Sequence, residues 1–139
     1  MNNHTLNEDQ LNIITGFLIK RFEPYLVVLF GSAVQGKLRP DSDIDLAFLS
    51  DLTFSEYDIF MSARELSDIL GRDVDLIDMD KASTVFKAQV IGKGKVIFSS
   101  DVRRRMIFAM DTYKEYAMLN EERQGILERF KERRLNHAK

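Results

Sequence analysis

The chain contains no cysteine. That excludes disulfides, thiol nucleophiles and cysteine-ligated zinc, and it fits the reducing cytoplasm, where the protein is expected to act. Only two histidines occur, His4 and His137, one near each end. A Ser-His-Asp triad or a histidine-rich metal site is therefore not expected. No window approaches 18 uninterrupted apolar residues, and the opening MNNHTLNEDQ has no basic stretch followed by an apolar run. Neither a membrane span nor an export leader is expected. An excess of one charge is missing too: 20 Lys and Arg stand against 22 Asp and Glu, a formal charge of −2. Net charge thus gives no support to a nucleic-acid-coating role, and any polyanion binding must be local. Neither a G-x-G-x-x-G fingerprint nor a Walker lysine-threonine pair occurs, and Gly92-Lys93-Gly94 reads as a turn after a helix. Repeats, proline-rich linkers and low-complexity segments are absent. At 139 residues the chain reads as one domain, with a core over about 8–99 and a helical extension over about 100–136.

What is present centres on Leu29 to Leu49, LFGSAVQGKLRPDSDIDLAFL. An apolar run from Leu26 to Phe30 stops at Gly31-Ser32, and after a polar connection a second apolar run carries Asp43 and Asp45. In a strand, residues i and i+2 share a face roughly 6.5–7 Å apart, so both acids project one way while Ile44, Leu46 and Phe48 face the other. Paired carboxylates on a half-buried surface repel one another and resist desolvation unless a cation or strong donors neutralise them. All-oxygen ligation favours a hard ion such as Mg²⁺, usually shared with substrate phosphates. Gly31-Ser32, followed by Ala33-Val34-Gln35, predicts a strand–turn–helix start whose free N–H groups bind phosphate, with the Ser32 hydroxyl as a further donor. Asp41 and Ser42 read as turn residues. Lys37 and Arg39, in the polar connection, either reach triphosphate oxygens or are simply solvated.

Around this stretch, the spacing predicts a helix over Glu8 to Arg21, with an Asn7…Gln10 capping box, an apolar stripe of Leu11, Ile14, Phe17 and Leu18, and Pro24 as its stop. Strands are predicted over Tyr25 to Phe30 and Asp43 to Leu49, both without a solvated face. A second helix, Phe54 to Leu70, shows a Thr53…Glu56 capping box, a stripe of Phe60, Ala63, Leu66 and Leu70, and Gly71 as its end. Asp73 to Met79 reads as a third strand with Asp73, Asp75 and Ile77 on one face. Asp75 is the most apolar-flanked acid there and would complete a carboxylate site; Asp73 and Asp78 are surface acids or the alternative third ligand. A short helix capped by Asp80 or Ser83 runs to Gly92 and Gly94, and Lys95 to Ser99 forms a short strand. From Ser100 the chain reads as helix nearly to its end, with Met106, Met110, Tyr113 and Ala117 facing the domain. Arg103, Arg104 and Arg105 sit in its first turn, where the helix dipole disfavours cations, so they meet a partner's acids or phosphate or are merely solvated. Ile126, Leu127 and Phe130 cluster at helical spacing on a charged tail, either frayed or a partner-binding helix.

The ordered pattern Gly31-Ser32, ten residues, Asp43-x-Asp45 resembles the signature of the DNA polymerase β-like nucleotidyltransferase superfamily. With Gly36 and Ser42 in the intervening stretch and a short chain, it looks most like the minimal nucleotidyltransferase group. Many members of that group are antitoxins paired with a HEPN-domain ribonuclease toxin. The likeness runs more weakly over about 10–100, and the tail matches nothing so sharply. It implies an α/β (α+β) fold, with a small mixed sheet flanked by helices and a long C-terminal helix. The implied reaction is transfer of AMP from ATP to a hydroxyl. In it, Asp43, Asp45 and Asp75 hold Mg²⁺, Asp75 helps to deprotonate the acceptor, and Gly31 and Ser32 hold the terminal phosphates. Lys37, Arg39 and Ser42 line the nucleotide site. The implied acceptor is a tyrosine of a cognate HEPN toxin; neither a membrane nor directly bound nucleic acid is expected as a partner. Three rival readings are a non-catalytic antitoxin acting by binding alone, a nucleotidyltransferase for a small molecule, and one for nucleic acid.

Overall fold

The structure, a computed structural model, describes residues 6–39 and 41–137, with side chains as far as Arg134. His4, Pro40 and the side chain of His137 lie outside the described set. Helix α1, Glu8–Phe22, begins with the expected box: the Asn7 side chain accepts from the Gln10 N–H at 2.8 Å and the Gln10 side chain accepts from the Asn7 N–H at 2.9 Å. It ends one residue beyond the prediction, still ahead of Pro24. Glu23 turns into the left-handed region, φ 46°, and Pro24 opens strand β1, Pro24–Phe30.

Strand β2 is Ile44–Ser50, α2 is Glu56–Leu70 and β3 is Val74–Asp78. Helix α3 is Thr84–Lys93, β4 is Lys95–Ser99 and α4 is Val102–His137. The strands form one sheet in the order β3-β2-β1-β4; β1 runs antiparallel to β2 and β4, whereas β2 and β3 are parallel. The mixed sheet is thus as expected, and α2 is the crossover that a parallel pair requires. Strand alternation divides the core in two. Val27, Leu29, Ile44, Leu46 and Phe48 pack with Ile14, Leu18 and Phe22 of α1 and with Ala63 and Leu66 of α2. On the other face Leu26, Val28, Ala47 and Leu49 meet Met79, Val90, Phe86 and Phe108.

Several local expectations shift. The cap of α2 is Ser55, whose hydroxyl accepts from the Asp58 N–H at 3.1 Å, not Thr53. Phe60 is 61 % exposed, and Ile59, Ser62, Ala63 and Leu66 form the inner face. Arg21 links α1 to α2, donating to Ser62 Oγ at 3.2 Å and pairing with Glu65 at 2.7 Å. Ser83 caps α3, and Asp80 lies in a separate 3-10 turn, Met79–Lys81. Gly92 is inside α3, leaving Gly94 as its end. Helix α4 is rotated from the expected phase: Met106, Met110, Tyr113 and Ala117 are exposed, whereas Phe108, Thr112 and Tyr116 turn toward the body. The anchor is Arg104, bonded to Asp51 at 2.7 and 2.5 Å and stacked 3.9 Å over Tyr25. One member of the arginine trio is thereby compensated within the chain. Beyond Leu119, every described side chain except Gly125 is exposed, including Ile126, Leu127 and Phe130.

Candidate active site

Three adjacent strands present the site residues at one end of the sheet. Strand β1 ends at Phe30, which pairs with Asp45 of β2, and Asp45 in turn lies beside Asp75 of β3 in the parallel register. Cross-strand partners share a face, so the Asp45 and Asp75 carboxylates project together, on the side of Ala47 and Leu49. Asp43 immediately precedes β2 rather than lying inside it. The chain leaves β1 through Gly31, whose φ of +74° suits only a residue without a side chain, into a single 3-10 turn, Gly31–Ala33. The expected helix start is thus one tight turn. A Cβ on Gly31 would collide with Asp45 Oδ2 and lie 3.2 Å from its Cγ. Glycine here lets backbone approach a carboxylate directly.

The connection back to β2 is pinned rather than loose. Lys37 N–H donates to the Ser32 carbonyl at 3.0 Å, and Leu38 is buried beneath it at 1 % exposure. Ser42 Oγ accepts from the Arg39 N–H at 2.9 Å while the Ser42 N–H donates to the Arg39 carbonyl at 3.0 Å. The Arg72 guanidinium donates to the same carbonyl, tying this turn to the approach of β3. Ser42 therefore builds the turn that delivers Asp43. Arg72, which the sequence did not single out, ties Asp43's turn to Asp75's strand. Its only sequence cue is its place just after the Gly71 helix end. Lys37 and Arg39 are exposed on the connection, and the Ser32 hydroxyl has no hydrogen-bond partner among the described residues.

Burial, then Asp75, then Asp43 push the Asp45 carboxyl from 3.8 up to about 6. Asp45 thus feels both neighbouring acids, and among the described residues no cationic side chain relieves it. Among the described residues no three acids or histidines stand together as a ready-made ion cage. Hard oxygen donors under unrelieved repulsion, open on one side, nonetheless fit a divalent cation shared with phosphate oxygens, the usual manner of holding Mg²⁺. Asp73 and Asp78 flank the set; Asp78 is engaged by the Asp80 N–H at 3.1 Å. A groove of about 830 Å³ opens beside Asp43 and Asp75, between β3 and α2.

Residues 12–103 match the family described as polymerase beta, nucleotidyltransferase. The chain belongs to that nucleotidyltransferase family. The match spans the turn, all three acids and β4. Among curated relatives, the protein adenylyltransferase MntA of Shewanella oneidensis is 38 % identical over 103 residues, covering 74 % of this chain and 73 % of that one. Among solved structures, a toxin–antitoxin with AMP-PNP superposes with a TM-score of 0.78 at 35 % identity, covering 85 % of this chain and 95 % of the other. Another, a tri-AMPylated Shewanella oneidensis HEPN toxin in complex with MNT antitoxin, gives 0.75 at 31 % identity over 88 % and 97 %. The small mixed sheet with its long final helix is the polymerase β-like nucleotidyltransferase fold.

Proposed function

We propose that this nucleotidyltransferase is an antitoxin that transfers AMP from ATP to a hydroxyl, a tyrosine by analogy, of a cognate HEPN-domain toxin and thereby neutralises it. The observation that carries the reading is the Asp45–Asp75 pair with Gly31 against it, in a chain 38 % identical to a protein adenylyltransferase. Asp43 and Asp45 would hold Mg²⁺, with Asp75 as the third carboxylate at its edge. When bound, the ion supplies charge neutralisation for the phosphates and the attacking oxygen. Gly31 and Ser32 cradle the terminal phosphates, the free Ser32 hydroxyl donating to them, and Lys37 and Arg39 add positive charge along the connection. Asp75 orients the acceptor hydroxyl and takes up its proton. The acceptor oxygen bonds to the α-phosphorus, the bond to the β-phosphate oxygen breaks in line, and pyrophosphate departs. The α4 tail, with Ile126, Leu127 and Phe130 exposed, supplies a toxin-binding surface. The absence of cysteine suits work in the cytoplasm.

Intact-mass analysis tests this. A HEPN-domain partner incubated with this chain, ATP and Mg²⁺ should gain whole AMP increments, and Asp43→Asn/Asp45→Asn should give none. Asp75→Asn should slow transfer while leaving ATP affinity nearly unchanged. A stable complex that gains no mass with the unmutated chain refutes adenylyl transfer and leaves neutralisation by binding alone.

A further inference from the structure

Strand β3 is an edge of the sheet, and the groove beside it touches every residue from Asp73 to Asp78. Consecutive strand residues point to opposite faces, so a groove lined by all of them follows the strand's outer edge, not either face. Its other wall is one side of α2, lined at helical spacing by Glu56, Phe60, Arg64 and Asp68. Backbone along a free strand edge is a ready template for another extended segment. The Val74 N–H is already taken by Ser67 Oγ at 2.9 Å, which leaves the later part of the strand for pairing.

The groove's place relative to the acids gives it a role. The proposed phosphate cradle lies at the end of β1, Asp45 lies on β2 and Asp75 on β3. In an in-line displacement the attacking oxygen comes from the side opposite the leaving group. With pyrophosphate held at Gly31-Ser32, the acceptor must arrive past Asp75, which is where the groove opens. Its charge is one-sided: Glu56, Asp68, Asp73 and Asp78 against Arg64 and Lys81, and Lys81 Nζ already donates to the Phe54 carbonyl at 2.7 Å.

We propose that this groove is the acceptor channel, taking an extended, positively charged polypeptide segment that lies along β3 and brings its hydroxyl to Asp75. The proposal rests on the adenylyl-transfer reading and adds the chemistry of its acceptor. Glu56 and Asp68, exposed and outside the catalytic set, determine specificity by charge.

The test is direct binding of fluorescein-labelled Lys-Arg-Tyr-Lys-Arg and Glu-Glu-Tyr-Glu-Glu peptides to the whole chain and to Glu56→Lys/Asp68→Lys, with circular dichroism to check that the variant is folded. The basic peptide should bind the unmutated chain at least about tenfold more tightly, and the double variant should lose about that factor. Equal binding of the two peptides, or none of either, overturns the proposal. Transfer to a HEPN-domain partner separates the two readings. If transfer proceeds with the same acceptor KM in the unmutated chain and the variant, the channel is wrong and adenylyl transfer stands. If the peptide preference holds but no AMP is transferred, the groove is a basic-peptide site and the transfer reading falls.

Discussion

At neutral pH the Asp45 carboxylate should destabilise the protein that carries it. Burial, helped by Asp75 and then Asp43, raises its folded-state value from 3.8 to about 6. The direction is the reverse of an ordinary salt-bridged carboxylate: the folded chain holds this proton more tightly than the unfolded one. Stability is therefore favoured at low pH, falls as pH climbs from about 4 to about 6, and stays lowered above that. A displacement of roughly two pH units corresponds to at most about 3 kcal/mol. Asp45 is only half-buried, however, and water screens part of the repulsion, which leaves roughly 1–2 kcal/mol. Asp45→Asn removes the charge and keeps the shape that rests against Gly31. In EDTA at pH 8, calorimetry should show the variant melting about 3–6 °C higher than the unmutated chain. At pH 4 most of that gain should be gone. Millimolar Mg²⁺ at pH 8 should raise the melting temperature of the unmutated chain more than that of the variant. A variant no more stable at pH 8, or equally stabilised at both pH values, refutes the reasoning from burial and like charge.

Two glycines give further predictions. Gly31→Ala meets both a φ of +74° and the Asp45 carboxylate, so it should cost about 1–3 kcal/mol in urea melts and lower AMP transfer at least about 100-fold. Gly94→Ala places a Cβ against the Val90 carbonyl, 2.5 Å from Val28 Cγ1 and 3.2 Å from the Leu29 carbonyl. It should destabilise by about 1–3 kcal/mol, read as a lower urea midpoint, because α3 can no longer lie close against β1.

Much of the fold was legible because local chemistry marks it. The Asn7…Gln10 box, the apolar runs of β1 and β2, the Gly71 stop and the limits of β4 all follow from caps, period and turn residues within a few positions of each other. Where local cues competed, sequence reading chose wrongly: Ser55 outdid Thr53 as a cap, and Ile59 rather than Phe60 joined Ala63 and Leu66 on the buried face. Helix α4 failed for another reason. Apolar residues are scattered around it, and its phase follows from long-range contacts that no periodicity records: Phe108 packs on the second sheet face, and Arg104 reaches Asp51, 53 residues away in sequence.

The site divides along the same line. Sequence alone singled out the candidate residues, because Gly31-Ser32 and the alternating Asp43 and Asp45 are local patterns whose spacing has a physical meaning. Tertiary structure alone decided that Asp75 stands beside Asp45, that Gly31 abuts its carboxylate, and that β3 lies at the edge of the sheet. Those facts depend on strand order and register, which are set by packing two apolar layers onto one sheet.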